Sequence, residues 1–179
     1  MARAGAIAAA ALHAAAAAVR PGVSSLELDQ VAEEAIRAAG AEPSFKGYRG
    51  YPGSLCVEIN DVVVHGIPRD SEIVREGDIV GLDVGAYYGG FHGDTATTVA
   101  VGEVSAEAQR LMSVTEEALW VGIRHAIPGR CSATCRAPFR SSSRARGSVA
   151  CATWWVTALG GKCMSRRRSR TSTSRASSR

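Results

Sequence analysis

Past Glu117 this chain has no acidic residue, and past His125 no histidine. Residues 130–179 can therefore supply neither a carboxylate nor an imidazole to a catalytic or metal site. No stretch is long and apolar enough to cross a membrane as a helix. The opening MARAGAIAAAALHAAAAAV lacks a strongly apolar run: alanine is only weakly apolar and His13 interrupts it. It reads as an alanine-rich helix and not as an export signal. The cysteines lack any zinc or disulfide spacing. Cys56 stands alone in the first part, and Cys131, Cys135, Cys151 and Cys163 follow much later. A reducing, cytoplasmic setting is the default expectation.

What is present divides sharply. Residues 1–129 carry 9 Lys and Arg against all 17 acids, a net charge of -8, whereas residues 130–179 carry 12 basic residues and no acid, a net charge of +12. A break this abrupt says that two kinds of sequence meet near Arg130. The first part, 1–129, reads as a folded catalytic-type region. The second, 130–179, reads as a basic, Arg/Ser-rich, irregular tail.

Taken in order, residues 2–19 form a helix stopped by Arg20-Pro21-Gly22. Ser24 or Ser25 caps a second helix, whose stripe is Leu28, Val31, Ala32, Ala35 and Ile36, and Gly40 ends it. That helix is too acidic to read DNA. Residues 41–53, with FKGYRGYPG, are a loop whose Tyr48 and Tyr51 suit either a small pocket or surface packing. Leu55–Ile59 is a strand, Asn60-Asp61 a turn, and Val62-Val63-Val64 a second strand ending at His65-Gly66-Ile67-Pro68. Gly66 and Pro68 fix a loop that would present His65 to a cleft. Ser105 caps a last helix over 106–126, with Ala108, Leu111, Met112, Thr115, Leu119 and Ile123 at helical spacing. The arrangement is α+β.

Between the second strand and that helix lies GDIVGLDVGAYYGGFHGDTATTVAV, residues 77–101. Apolar and β-branched flanks around Tyr88-Gly89-Gly90 predict a hairpin. Asp83 and Asp94 fall on its two arms, where pairing can bring them together on one face. Two adjacent acids on rigid strands either share a proton or hold a metal. His92, close to Asp94, reads as structural.

Together, the Pro-Gly-Val-Ser-Ser junction, GYRGYPGSLCVEIND, VVVHGIP and GDIVGLDVGAYYGGFHGDTATT resemble the bacterial-type (type I) methionine aminopeptidases of metallopeptidase family M24. The resemblance covers nearly all of residues 1–129. It implies the pita-bread fold, two related α+β halves enclosing a dinuclear metal site, and removal of N-terminal methionine from nascent chains. By the same resemblance Asp83 binds one metal and Asp94 bridges two. His65 contacts substrate as the cleft histidine, and Tyr48, Tyr51 and Cys56 form the pocket for the methionine side chain. Co, Mn, Fe or Zn would all suit such ligands. The implied partners are nascent polypeptide N-termini and the ribosome, with no membrane.

The same family also uses one His, in a Gly-His-Gly segment, and two Glu as ligands, and residues 130–179 hold none of these. A reason is legible in the residues themselves. Ala150–Ser165 can be back-translated so that the frame two bases on reads VRDLVGHGTGRKMHE, and 130–140 likewise gives VLGDLPGAIQ. The second part is thus expected to be an out-of-frame reading that truncates the catalytic region. The alternatives are a noncatalytic fragment that binds peptides or proteins, with an apolar face left uncovered, and an RNA-binding protein working through its basic tail.

Overall fold

The computed structural model describes residues 1–127. Helix α1 (Ala2–Ala18) and helix α2 (Ser25–Ala38) lead into a short strand β1 (Glu42–Pro43), a single helical turn at Tyr48–Gly50 and strand β2 (Leu55–Ile59). The hairpin β3 (Ile79–Tyr88) and β4 (Phe91–Ala100) follows, then helix α3 (Ala106–His125). All four strands form one antiparallel sheet in which β3 is central. β4 runs along one side of β3 for its whole length, and β2 and β1 pair with successive parts of the other side.

The helices start where side chains can satisfy free N–H groups. Ser24 Oγ accepts from the Glu27 N–H at 3.2 Å, and the Glu27 carboxylate accepts from the Ser24 N–H at 2.8 Å. This reciprocal pair caps α2 and settles the choice between the two serines in favour of Ser24. In α1, Ala4, Ile7, Ala8, Ala11, Leu12 and Ala15 make the buried stripe. Their small side chains let the helix lie close to the sheet. The approach is tight at Gly93 on β4, where any Cβ would collide with the Ala4 backbone.

Strand alternation then sorts the sheet into two faces. Val80, Leu82, Val84 and Ala86 of β3 are buried together with Leu55, Val57 and the stripes of α1 and α2, and this is the core. The opposite face carries Gly81, Asp83, Gly85 and Tyr87 of β3, with Cys56 and Glu58 of β2 on one flank. His92, Asp94, Ala96 and Thr98 of β4 lie on the other flank. That second face carries the polar side chains, while the exposed large apolar residues lie elsewhere as well, among them Leu111, Leu119, Trp120 and Ile123 of α3. On the second face Asp94, Ala96 and Thr98 are exposed to solvent.

Two further expectations are corrected. Val62–Val64 is not a strand: it is an exposed loop, with Val63 73% accessible. Asn60, at φ 56°, turns the chain away from β2. What comes back to the free edge of β2 is Gly66, whose carbonyl accepts from the Val57 N–H at 3.2 Å. β-branched residues favour a strand only where a partner strand is in reach. In α3, Leu111, Leu119 and Ile123 are exposed, and the buried row is Val114 and Ala118. The inward side of that helix is thus turned away from the expected stripe. The readings made above for the tail lie outside the described residues.

Candidate active site

The hairpin places the two carboxylates. Gly89 and Gly90 both have positive φ, 58° and 85°, the signature of a two-residue turn whose twist matches its strands. That turn sets Tyr88 opposite Phe91, so Asp83 faces Ala96 and Asp94 faces Gly85. The acids are diagonal neighbours on one face, not a directly opposed pair, and their carboxyl groups hydrogen-bond each other. Gly85 leaves the diagonal open. A Cβ there would stand 2.8 Å from both the Phe45 ring and Ser44 Cβ, so its absence also lets the 44–45 loop lie on the sheet.

Their chemistry follows from this setting. Burial, then the charges of Asp94 and Glu58, pushes the Asp83 carboxyl up to about 7. Burial also raises Asp94, against the opposing pull of the hydrogen bond with Asp83 and of His92 nearby. Asp94 is exposed as a residue, so the burial that raises it acts at its carboxyl end. Two carboxylates this close share a proton unless a cation neutralises them.

Around the pair, the structure brings together some of the residues singled out from sequence. Cys56 sits opposite Asp83 across β2 and β3 and is buried. Burial, with the charges of Asp83, Glu58 and Asp94, pushes its thiol up to about 12, although a hydrogen bond with Tyr51 opposes the rise. Tyr51 lies over the outer edge of β2, donating to the Leu55 carbonyl at 3.0 Å and the Gly66 carbonyl at 2.7 Å, and burial raises its phenol. Tyr48 is half-buried in the preceding turn, with the Arg49 guanidinium 5.5 Å from its ring centre. His65 lies in the exposed loop at a left-handed φ of 58°. His92 is held by Ser44, Oγ to Nδ1 at 2.8 Å, and against Tyr87, with ring centres 4.8 Å apart.

Three acids not singled out from sequence organise these parts. Asp29 of α2, 5% exposed, accepts the N–H groups of Ser54 at 2.6 Å and Leu55 at 2.7 Å and so fixes the start of β2. Burial raises its pKa against the pull of those two bonds. Glu33 accepts from Lys46 at 2.6 Å, Arg37 at 2.8 Å and Ser54 Oγ at 2.9 Å, tying the tyrosine loop to α2. These bonds, led by that with Lys46, hold its carboxyl down at about 2. Glu58 is half-buried beside Asp83, with its carboxyl pushed up to about 7 by burial. Period-two alternation from Cys56 could have flagged Glu58 once β2 was paired with β3.

A carboxylate pair on a hairpin, flanked by a buried thiol, a tyrosine and a histidine loop, is a site built on one sheet. Residues 1–145 match the sequence profile of metallopeptidase family M24. The chain belongs to that family. Among its relatives, a methionine aminopeptidase 1 of Mycobacterium tuberculosis is 52% identical over 129 residues, covering 72% of this chain and 48% of the relative. One from Bacillus subtilis is 50% identical over 111 residues, covering 62% of this chain and 44% of the relative. A crystal structure of methionine aminopeptidase from Thermotoga maritima superposes with a TM-score of 0.80 at 35% identity. That alignment covers 82% of this chain and 59% of that one. The fold is the pita-bread fold of M24 enzymes, and the chain spans about half the length of the curated relatives it matches.

M24 membership implies divalent metal ions, and the donor set can be tested against that. Asp83 and Asp94 have the right chemistry for hard or borderline cations. Among the described residues, however, no group of three or more His, Cys, Asp or Glu side chains converges where one ion could sit. Two carboxylates from one hairpin do not complete a metal centre. Among the described residues also, no helix is long and apolar enough to cross a membrane.

Proposed function

We propose that residues 1–129 are the N-terminal part of a methionine aminopeptidase catalytic region, whose ancestral reaction removes the first methionine from nascent chains in the cytoplasm. The observation that carries this reading is the Asp83–Asp94 pair, sharing a hydrogen bond on one face of a hairpin in an M24 chain. In this reading the pair supplies two ligands of a site for two divalent ions, of Co, Mn, Fe or Zn. His65 contacts the substrate, and Tyr48, Tyr51 and Cys56 line the place of the methionine side chain. The remaining ligands belong to a part of the catalytic region that residues 130–179, without His, Asp or Glu, do not encode in this frame. The out-of-frame reading of those residues accounts for both their composition and the hidden Gly-His-Gly segment.

The 179-residue chain should therefore release little or no methionine from a Met-Ala-Ser peptide with added Mn or Co. A polypeptide that joins residues 1–129 to the shifted-frame reading of the codons after them should release it, and lose the activity on Asp94→Asn. Robust metal-dependent release by the 179-residue chain would overturn the assignment of a missing ligand set. DNA with no Gly-His-Gly frame across codons 150–165 would overturn the frame reading. Separately, the charge of +12 beyond residue 129 favours nonspecific RNA contact. Such contact should weaken steeply between 50 and about 200 mM salt and vanish in a chain ending at Gly129.

A further inference from the structure

We infer that Glu58 is a positioning residue for His65. Glu58 lies on the same sheet face as Cys56 and Asp83, and its carboxylate accepts the N–H of Gly66, Oε1 at 3.3 Å, and the N–H of His65. No side chain stands in its way, because β3 has glycine at the opposing position. A Cβ on Gly81 would come 3.0 Å from Glu58 Oε2. Gly66 is gripped from its other side as well. Its carbonyl accepts from the Val57 N–H at 3.2 Å and from the Tyr51 hydroxyl at 2.7 Å, and a Cβ there would collide with the Val57 carbonyl.

The consequence falls on the residue before it. His65 has φ 58°, a conformation that a residue with a Cβ holds only where its surroundings impose it. Its ring is exposed, and the loop around it is solvent-facing from Asp61 to His65. The restraint therefore acts on the backbone, through two consecutive N–H groups directed at one carboxylate. Glu58 thereby ties the His65 loop to the sheet face that holds Asp83 and Asp94. What His65 does there rests on the aminopeptidase reading. How it is held does not.

Hydrogen exchange of the backbone amides, read by NMR on the full 179-residue chain, tests this without any catalytic assay. Glu58→Ala should lower protection of the His65 and Gly66 amides by about ten-fold or more, while β3 and β4 amides stay as they were. Glu58→Gln should stay within about three-fold of the parent, since its amide oxygen still accepts. Glu58→Asp keeps the charge but is one methylene too short, and should lose protection as alanine does. If Glu58→Ala fails to fold, the Gln and Asp variants decide the matter alone. Unchanged protection at both amides in Glu58→Asp, or a loss in Glu58→Gln equal to that in Glu58→Asp, would overturn the inference. Methionine release plays no part in these outcomes, so the functional reading and this one can fail separately.

Discussion

At Gly93 the α1 backbone comes so near the hairpin that no side chain fits between them. Gly93→Ala forces a methyl group into the Ala4 backbone, so helix and strand must separate. A loss of about 1–3 kcal/mol in urea-unfolding free energy is expected, the usual cost of overpacking. Cys56 makes a second prediction at this scale. With its thiol raised to about 12 and buried, almost none is thiolate at neutral pH. Iodoacetamide at pH 7 should label Cys56 slowly in the folded chain and rapidly in urea, as peptide mass spectrometry would show. Equal rates would mean that the site is not closed over this thiol. Residues of this kind differ in how far sequence discloses them. Asp83 and Asp94 stand out because a strong turn signal lies between them. Asp29 and Glu33 look like ordinary acids on a solvated helix face, and only the incoming Ser54, Leu55 and Lys46, from distant sequence, reveal their task.

At the scale of elements, α2 rests on its capping box. Ser24→Ala removes the acceptor for the Glu27 N–H and should cost about 1 kcal/mol. Glu33 links α2 to the tyrosine loop, and its ionisation ties that link to pH. The carboxyl is at about 2 in the folded chain against 4.5 for a free glutamate. A depressed folded value means that its contribution is fully present above pH 4.5 and is lost as pH falls toward about 2. Glu33→Gln should flatten the stability profile across that window and leave the slope above pH 5 unchanged. Salt should shrink the effect, because the Lys46 side chain is 44% exposed. Elements were legible where local signals agreed, as in the Gly89-Gly90 hairpin and the capped α2. They misled at Val62–Val64, where three β-branched residues suggested a strand. The edge they would have paired with is occupied by Gly66 and Tyr51, a fact no local pattern contains.

For the whole molecule, the described residues form a helical layer on one sheet face and a set of polar side chains on the other. The fold class was visible in the succession of helices, strands and hairpin. The completeness of the site was not visible in the hairpin alone and emerges from the count of donors around it. Chelators should accordingly leave the unfolding midpoint of the 179-residue chain unchanged, because two carboxylates alone give little linkage between metal and folding. A midpoint shift of several degrees on adding EDTA to protein as purified would show a tightly held ion, and with it donors beyond Asp83 and Asp94.

The Gly89-Gly90 turn has a further meaning when treated as a gauge of length. Each arm of the hairpin is counted outward from Tyr88 and Phe91, and side-chain direction alternates with every step. One residue added between turn and Asp94 would send that carboxylate into the layer of Leu82 and Val84. Two would return it to its own face about 7 Å further along the strand, at the place of Ala96 and directly opposite Asp83 instead of diagonal to it. Deletions and insertions here obey a parity rule, and a single added glycine is expected to do more damage than replacing either acid.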